Sequence, residues 1–233
     1  DGPNHPKRMT SQPRWFTFLA TAMLGWSTLS PNNAAAQTQL YELQGFRELA
    51  LTHTTIAILP FKGAAFMSPL EWRMQDDADI RREADLRGLE MQATLESWFL
   101  KRSERGKFIV QVQPTAETNA ILHDNDVSLD NLAKRTPQEV AKLLGVDAIV
   151  TGTVHAHQPS MLMAAAVSWM TQSSSNNVNS YAMLDLEVYD TDYGELQCNY
   201  RKRILRSPWV RESRLIHILA RKTSRRIAYK GKL

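Results

Sequence analysis

At 233 residues, 43% of them hydrophobic, the chain has material for one medium domain, or one domain behind a leader, with a sizeable core. A single cysteine, Cys198, excludes a framework of intrachain disulfides. The formal net charge of +4 is unevenly spread: residues 201–233 hold 12 Lys and Arg against one acid, Glu212, while residues 37–200 hold 13 against 22 acids.

Read from the start, residues 1–36 have the order of an export leader. Lys7, Arg8 and Arg14 precede an apolar run over 15–26, and small residues follow as far as Ala34 and Ala36. Cleavage is expected after Ala36. The apolar run is shorter than the roughly 20 residues a spanning helix needs. No cysteine follows it, so a lipid anchor is not expected. Residues 37–53 read as a polar lead-in with a short amphipathic piece near 40–49, and residues 54–233 as a single domain.

That domain opens with a strand over 54–61, rich in β-branched residues and ended by Pro60, followed by a loop over 62–69. A long helix is expected over 76–102. Asp76, Asp77 and Asp79 stand where its dipole favours acids, and Lys101, Arg102 and Arg105 close it. Leu86, Leu89, Ala93, Leu95, Trp98, Phe99 and Leu100 are read as its apolar face. A second strand follows over 107–113, then short helical pieces over 115–122 and 129–134.

The clearest local signal is 136–154. Thr136, Pro137 and Glu139 make a capped helix start, Gly145 stops the helix, and 146–154 reads as an interior strand. Strand and helix alternate to this point, the pattern of a parallel βαβ core. An insertion over 158–180 interrupts it. Its first half is apolar (Met161, Leu162, Met163, Trp169, Met170) and its second half is polar. Alternation resumes over 181–189, turns at 190–194 and returns over 195–205 as an antiparallel hairpin. Ser207 and Pro208 start a closing helix expected to reach about 228. Trp209, Ile216, Leu219, Ala220, Thr223 and Ile227 form its apolar stripe, and Arg211, Arg214, Arg221, Arg225 and Arg226 its polar side. The fold class expected is α/β: a two- or three-layer mixed sheet with a parallel core, the C-terminal hairpin and the closing helix.

Candidate chemistry is sparse. His155 and His157 share one face of a strand end, but zinc needs at least one further ligand and no spacing nominates it. Residues 124–130 alternate oxygen ligands as a calcium loop does, yet lack its sixth-position glycine and twelfth-position glutamate, and read as helix capping. Cys198 is expected to point inward as packing. No nucleophile elbow, phosphate loop or dinucleotide fingerprint occurs. Neither catalytic residues, nor a metal, nor a cofactor are expected.

The strand 56–61, the strand 108–112, the segment Ala141 to Val154 and the hairpin tipped by Asp190 to Gly194 resemble, over 54–228, a bacterial envelope superfamily. It contains the curli-export channel subunit CsgG, penicillin-binding-protein activators of the LpoB type and the N-terminal domain of TolB. The resemblance implies a non-enzymatic, periplasmic or outer-membrane-associated module that binds a protein partner or self-associates. The alternative is a subunit of an oligomeric secretion pore. Working residues are then sought in two places. One is the apolar segment with Met161, Leu162, Met163, Trp169 and Met170. The other is the basic helix with Arg214, Arg221, Arg225 and Arg226, which suits an acidic protein face or a peripheral membrane contact, unless it folds against the chain's own acidic body. Export argues against nucleic acid, and no small-molecule substrate is indicated.

Overall fold

The computed structural model describes residues 37–64, 76–159, 165, 169 and 179–230. These build a mixed sheet flanked by helices. In chain order they are β1 (Thr38–Glu42), α1 (Phe46–Leu49), β2 (Thr55–Ile58), β3 (Lys62–Ala64), α2 (Asp77–Ser103) and β4 (Gln111–Val112). Then follow α3 (Thr115–Asp124), α4 (Leu129–Leu132), α5 (Pro137–Leu144), β5 (Ala148–His157), β6 (Ser180–Asp190), β7 (Leu196–Arg206) and α6 (Glu212–Thr223).

The sheet runs β1-β7-β6-β5-β2-β4, with β3 also on β5. β2 pairs in parallel with both β4 and β5, the parallel core that the strand–helix alternation predicts. β5, β6, β7 and β1 pair antiparallel, and the sheet is not closed. Helices α2 and α6 cover one face. Met91, Leu95 and Phe99 of α2 and Leu215, Ile216 and Leu219 of α6 meet Ile56, Val150, Leu184 and Tyr200 there. On the other face α3 and α5 cover β2 and the start of β5 through Leu122, Val140, Ala141 and Leu144.

Local signals account for the best-placed elements. Glu139 N donates to Thr136 Oγ1 at 3.2 Å and Thr136 N donates to Glu139 Oε2 at 2.8 Å, which fixes the start of α5. Gly145 ends it at φ 67°, in the left-handed region. The 124–130 segment is used for capping as expected: Ser128 N donates to Asn131 Oδ1 at 2.8 Å.

Several expectations are corrected. The polar lead-in contains an edge strand, β1, whose pairing with β7 no local pattern announces. Residues 62–64, read as loop, form β3. The strand expected over 107–113 is reduced to Gln111–Val112, because Phe108 and Val110 turn into the core beside Phe99. The last helix is Glu212–Thr223, shorter than 207–228. On α2 the buried stripe is Ile80, Ala84, Gly88, Met91, Gln92, Leu95 and Phe99, whereas Leu86, Leu89, Ala93 and Leu100 face solvent. Rotating the helix this way lets Gly63 and Gly88 bring it against β3. A Cβ on Gly88 would stand 1.9 Å from Phe61 O, and one on Gly63 would stand 1.6 Å from Ala84 O.

Candidate functional site

α2 and α6 pack side by side on the same sheet face. Arg87 Nε of α2 donates to Glu212 Oε2 at the start of α6 at 2.6 Å, and the other Glu212 oxygen accepts from Gln158 N. Beyond that bridge Trp98 of α2 faces α6. Its ring meets His217 edge-on at 6.4 Å, and Lys101 Nζ stands 5.1 Å from its centroid.

Two hollows meet at Trp98. The first is an open groove of about 680 Å³ along α6, lined by Trp98, Trp209, Arg211, Arg214, His217 and Arg221 among others. The second, about 400 Å³ and more enclosed, lies between the C-terminal ends of α2 and α6, where Lys101, Arg102, Lys107, Arg225 and Lys230 converge. No carboxylate lines either hollow among the described residues. The sequence places Lys101, Arg102 and Arg105 at the end of α2, where the dipole and free carbonyls favour cations, and reads Arg225 as part of the polar side of the last helix. Packing the two ends together concentrates those cations. Burial and the Arg225 guanidinium hold Arg102 below the ordinary arginine value, which signals crowding of like charge.

The arginines named from sequence fall unequally on this site. Arg214 and Arg221 line the open groove, Arg225 lines the enclosed pocket, and Arg226 is exposed but lines neither. None of the four makes an ion pair among the described residues. Trp209, expected on the buried stripe, is 62% exposed because it precedes the helix and stands at the groove's end. Of the apolar insertion, Trp169 is helical and 87% exposed, while Met161, Leu162, Met163 and Met170 lie outside the described residues. The residues missed by sequence are Trp98, Arg102 and Lys107. Their signal was a tryptophan one turn before a basic helix end, which reads equally well as core plus helix termination.

Away from this site, three buried titratable groups bind one another. His53 Nε2 lies 3.0 Å from Asp190 Oδ2, and His53 Nδ1 lies 2.8 Å from Tyr229 Oη, all three buried. With Nε2 protonated, the histidine donates to the carboxylate and accepts from the phenol. Asp190 Oδ1 accepts from the backbone N–H groups of Asp192 and Tyr193, so this carboxylate holds the hairpin tip. Burial raises the Tyr229 phenol well above its ordinary value. His155 and His157 share a face of β5 as expected. Burial lowers His155, and His157 lies 5.5 Å from the Tyr181 ring. Among the described residues no third His, Cys, Asp or Glu joins them as a metal site. Cys198 is fully buried on β7.

No family model matches the chain. No curated protein matches it either. Solved structures similar to it include the PelC dodecamer from Paraburkholderia phytofirmans, at 9% identity and a TM-score of 0.47, covering 85% of this chain and 100% of that one. A lipoprotein from Neisseria meningitidis is similar at 15% identity and a TM-score of 0.42, over 75% of this chain and 98% of that one. The LpoB C-terminal domain from Salmonella enterica is similar at 7% identity and a TM-score of 0.32, over 70% and 95%. LpoB is one of the types the sequence resembles; CsgG is not among these three. At these identities and scores the likeness is one of coarse chain path and fixes neither family nor function.

Proposed function

We propose that this chain is an exported, non-enzymatic envelope protein that works by contact, and that it docks an acidic protein surface into the groove along α6. The observation that carries this reading is the groove's composition. Arg211, Arg214 and Arg221 line it beside Trp98 and Trp209, with no carboxylate among the described lining residues. Unpaired guanidinium groups next to an exposed indole are the composition of an interface hot spot. Charge of one sign also steers an oppositely charged partner during encounter.

The non-enzymatic part of the reading is supported by where the reactive side chains lie. His53, Asp190 and Tyr229 satisfy one another in the interior, and burial pushes the Cys198 thiol up to about 12, so neither group offers an accessible nucleophile. The export part rests on the order of charge, apolar run and small residues before Gln37. A second copy is a suitable occupant, since Asp76, Asp77 and Asp79 stand exposed at the start of α2. Another acidic envelope protein fits the same chemistry.

The test is charge reversal on the groove. Sedimentation at low and high salt and crosslinking in envelope fractions are compared for the parent and the Arg214→Glu, Arg221→Glu double variant. The expected result is a salt-sensitive self-association, or a defined crosslinked partner, that the double variant loses while its circular dichroism is unchanged. Association indifferent to both substitutions, or recovery of the unprocessed chain from the cytosol, overturns the reading. Ring-shaped particles in detergent would instead favour the export-pore alternative.

A further inference from the structure

The enclosed hollow beyond Trp98 differs in character from the open groove. Lys101, Arg102, Arg105, Lys107, Arg225 and Lys230 line it, six cationic side chains drawn from the end of α2, the segment after it and the residues following α6. No carboxylate among the described residues lines this hollow. Trp98 also lines it, and Trp98 Nε1 and Arg102 Nε are buried without a hydrogen-bond acceptor among the described residues. Arg102 is held at this wall by its Nη2, which donates to Lys107 O at 3.0 Å.

We propose that this pocket between the ends of α2 and α6 is a binding site for a phosphate-class oxyanion, seated on Arg102, Lys107 and Arg225. The chemistry fits in charge, in donor number and in size. Guanidinium groups match phosphate oxygens bidentately, and lysines supply mobile point charge. A cavity of about 400 Å³ accepts a phosphate with a substituent attached. The same group is presented by a phospholipid head and by soluble phosphate compounds, and the two sources are separable by experiment.

Binding of inorganic pyrophosphate is measured by calorimetry at low ionic strength, and flotation is measured with phosphatidylglycerol and with phosphatidylcholine vesicles. Two variants are used: Lys107→Gln with Arg225→Gln, and Arg214→Gln with Arg221→Gln. Pyrophosphate binding that falls at least tenfold in the first variant, with the melting temperature preserved, supports the site. The open-groove variant Arg214→Gln, Arg221→Gln is expected to stay within about threefold of the parent, consistent with a pocket separate from the docking groove. Retention on phosphatidylglycerol vesicles only, lost in the same pocket variant, assigns the group to a lipid head. The site is overturned if neither probe binds at low salt, or if binding is equal in parent and pocket variant. Neither outcome bears on partner docking through the groove, which the Arg214 and Arg221 substitutions test.

Discussion

Cys198 shows how burial changes one residue's chemistry. Fully buried on β7, it has its thiol pushed up to about 12 by loss of solvation first and by the Glu42 carboxylate second. Its reactive form, the thiolate, is therefore suppressed. The folded protein is expected to leave a thiol reagent unreacted at pH 8, and to consume one equivalent on unfolding in denaturant. The linked stability has a definite sign. A thiol raised in the folded state contributes fully below the unfolded value of about 8.5, and that contribution is lost as pH rises from there toward about 12. Denaturation midpoints measured from pH 7 to 10.5 are expected to fall in the upper part of that range, and to fall less steeply in Cys198→Ala.

At the scale of elements, the packing of α2 onto β3 depends on two glycines. In a free helix, Gly88→Ala would gain roughly 1 kcal/mol from backbone entropy. Here the added methyl would meet the Phe61 carbonyl oxygen at 1.9 Å, a backbone atom with nowhere to move except with its strand. Overpacking of this kind costs about 1–3 kcal/mol, so the clash wins. Gly88→Ala is expected to lower stability in a urea titration; a neutral or stabilising result would mean that α2 does not lie this close to β3. The same rotation of α2 exposes Leu86, Leu89 and Leu100. A 27-residue helix with many leucines offers more than one apolar stripe, and only its neighbour selects which is buried. α5 is the opposite case. Eight residues with one apolar side and a capping box at Thr136 leave a single orientation.

For the whole molecule, the buried chain Asp190–His53–Tyr229 ties together three places far apart in sequence: the approach to β2, the hairpin tip and the C-terminal segment. Tyr229 also packs edge-on against Phe46 and Phe108, so it anchors the residues after α6 to the core. Removing the imidazole leaves a buried carboxylate oxygen and a phenol without partners. His53→Ala is expected to cost about 3 kcal/mol, in the range for stranding buried polar groups, read as a lower denaturation midpoint with an unchanged slope. Because this network fixes the end of the chain that supplies Arg225 and Lys230, its loss should also loosen the enclosed pocket.

What the residues alone determined were the features whose cause is local. The capped start and glycine stop of α5 and the β6–β7 hairpin follow from spacing of a few residues, and both stand in the structure. The inward Cys198 and the capping use of Ser128 and Asn131 follow in the same way. Tertiary structure alone decided that residues 38–42 would pair with a strand more than 150 positions away, and which side of α2 would be buried. It also decided that cations near 101–107 and 225–230 would share one pocket. The physical reason is the range of the interaction. A cap or an alternating strand is completed by neighbours within one or two turns, whereas an edge pairing or a charge cluster exists only after loop closure brings distant segments together.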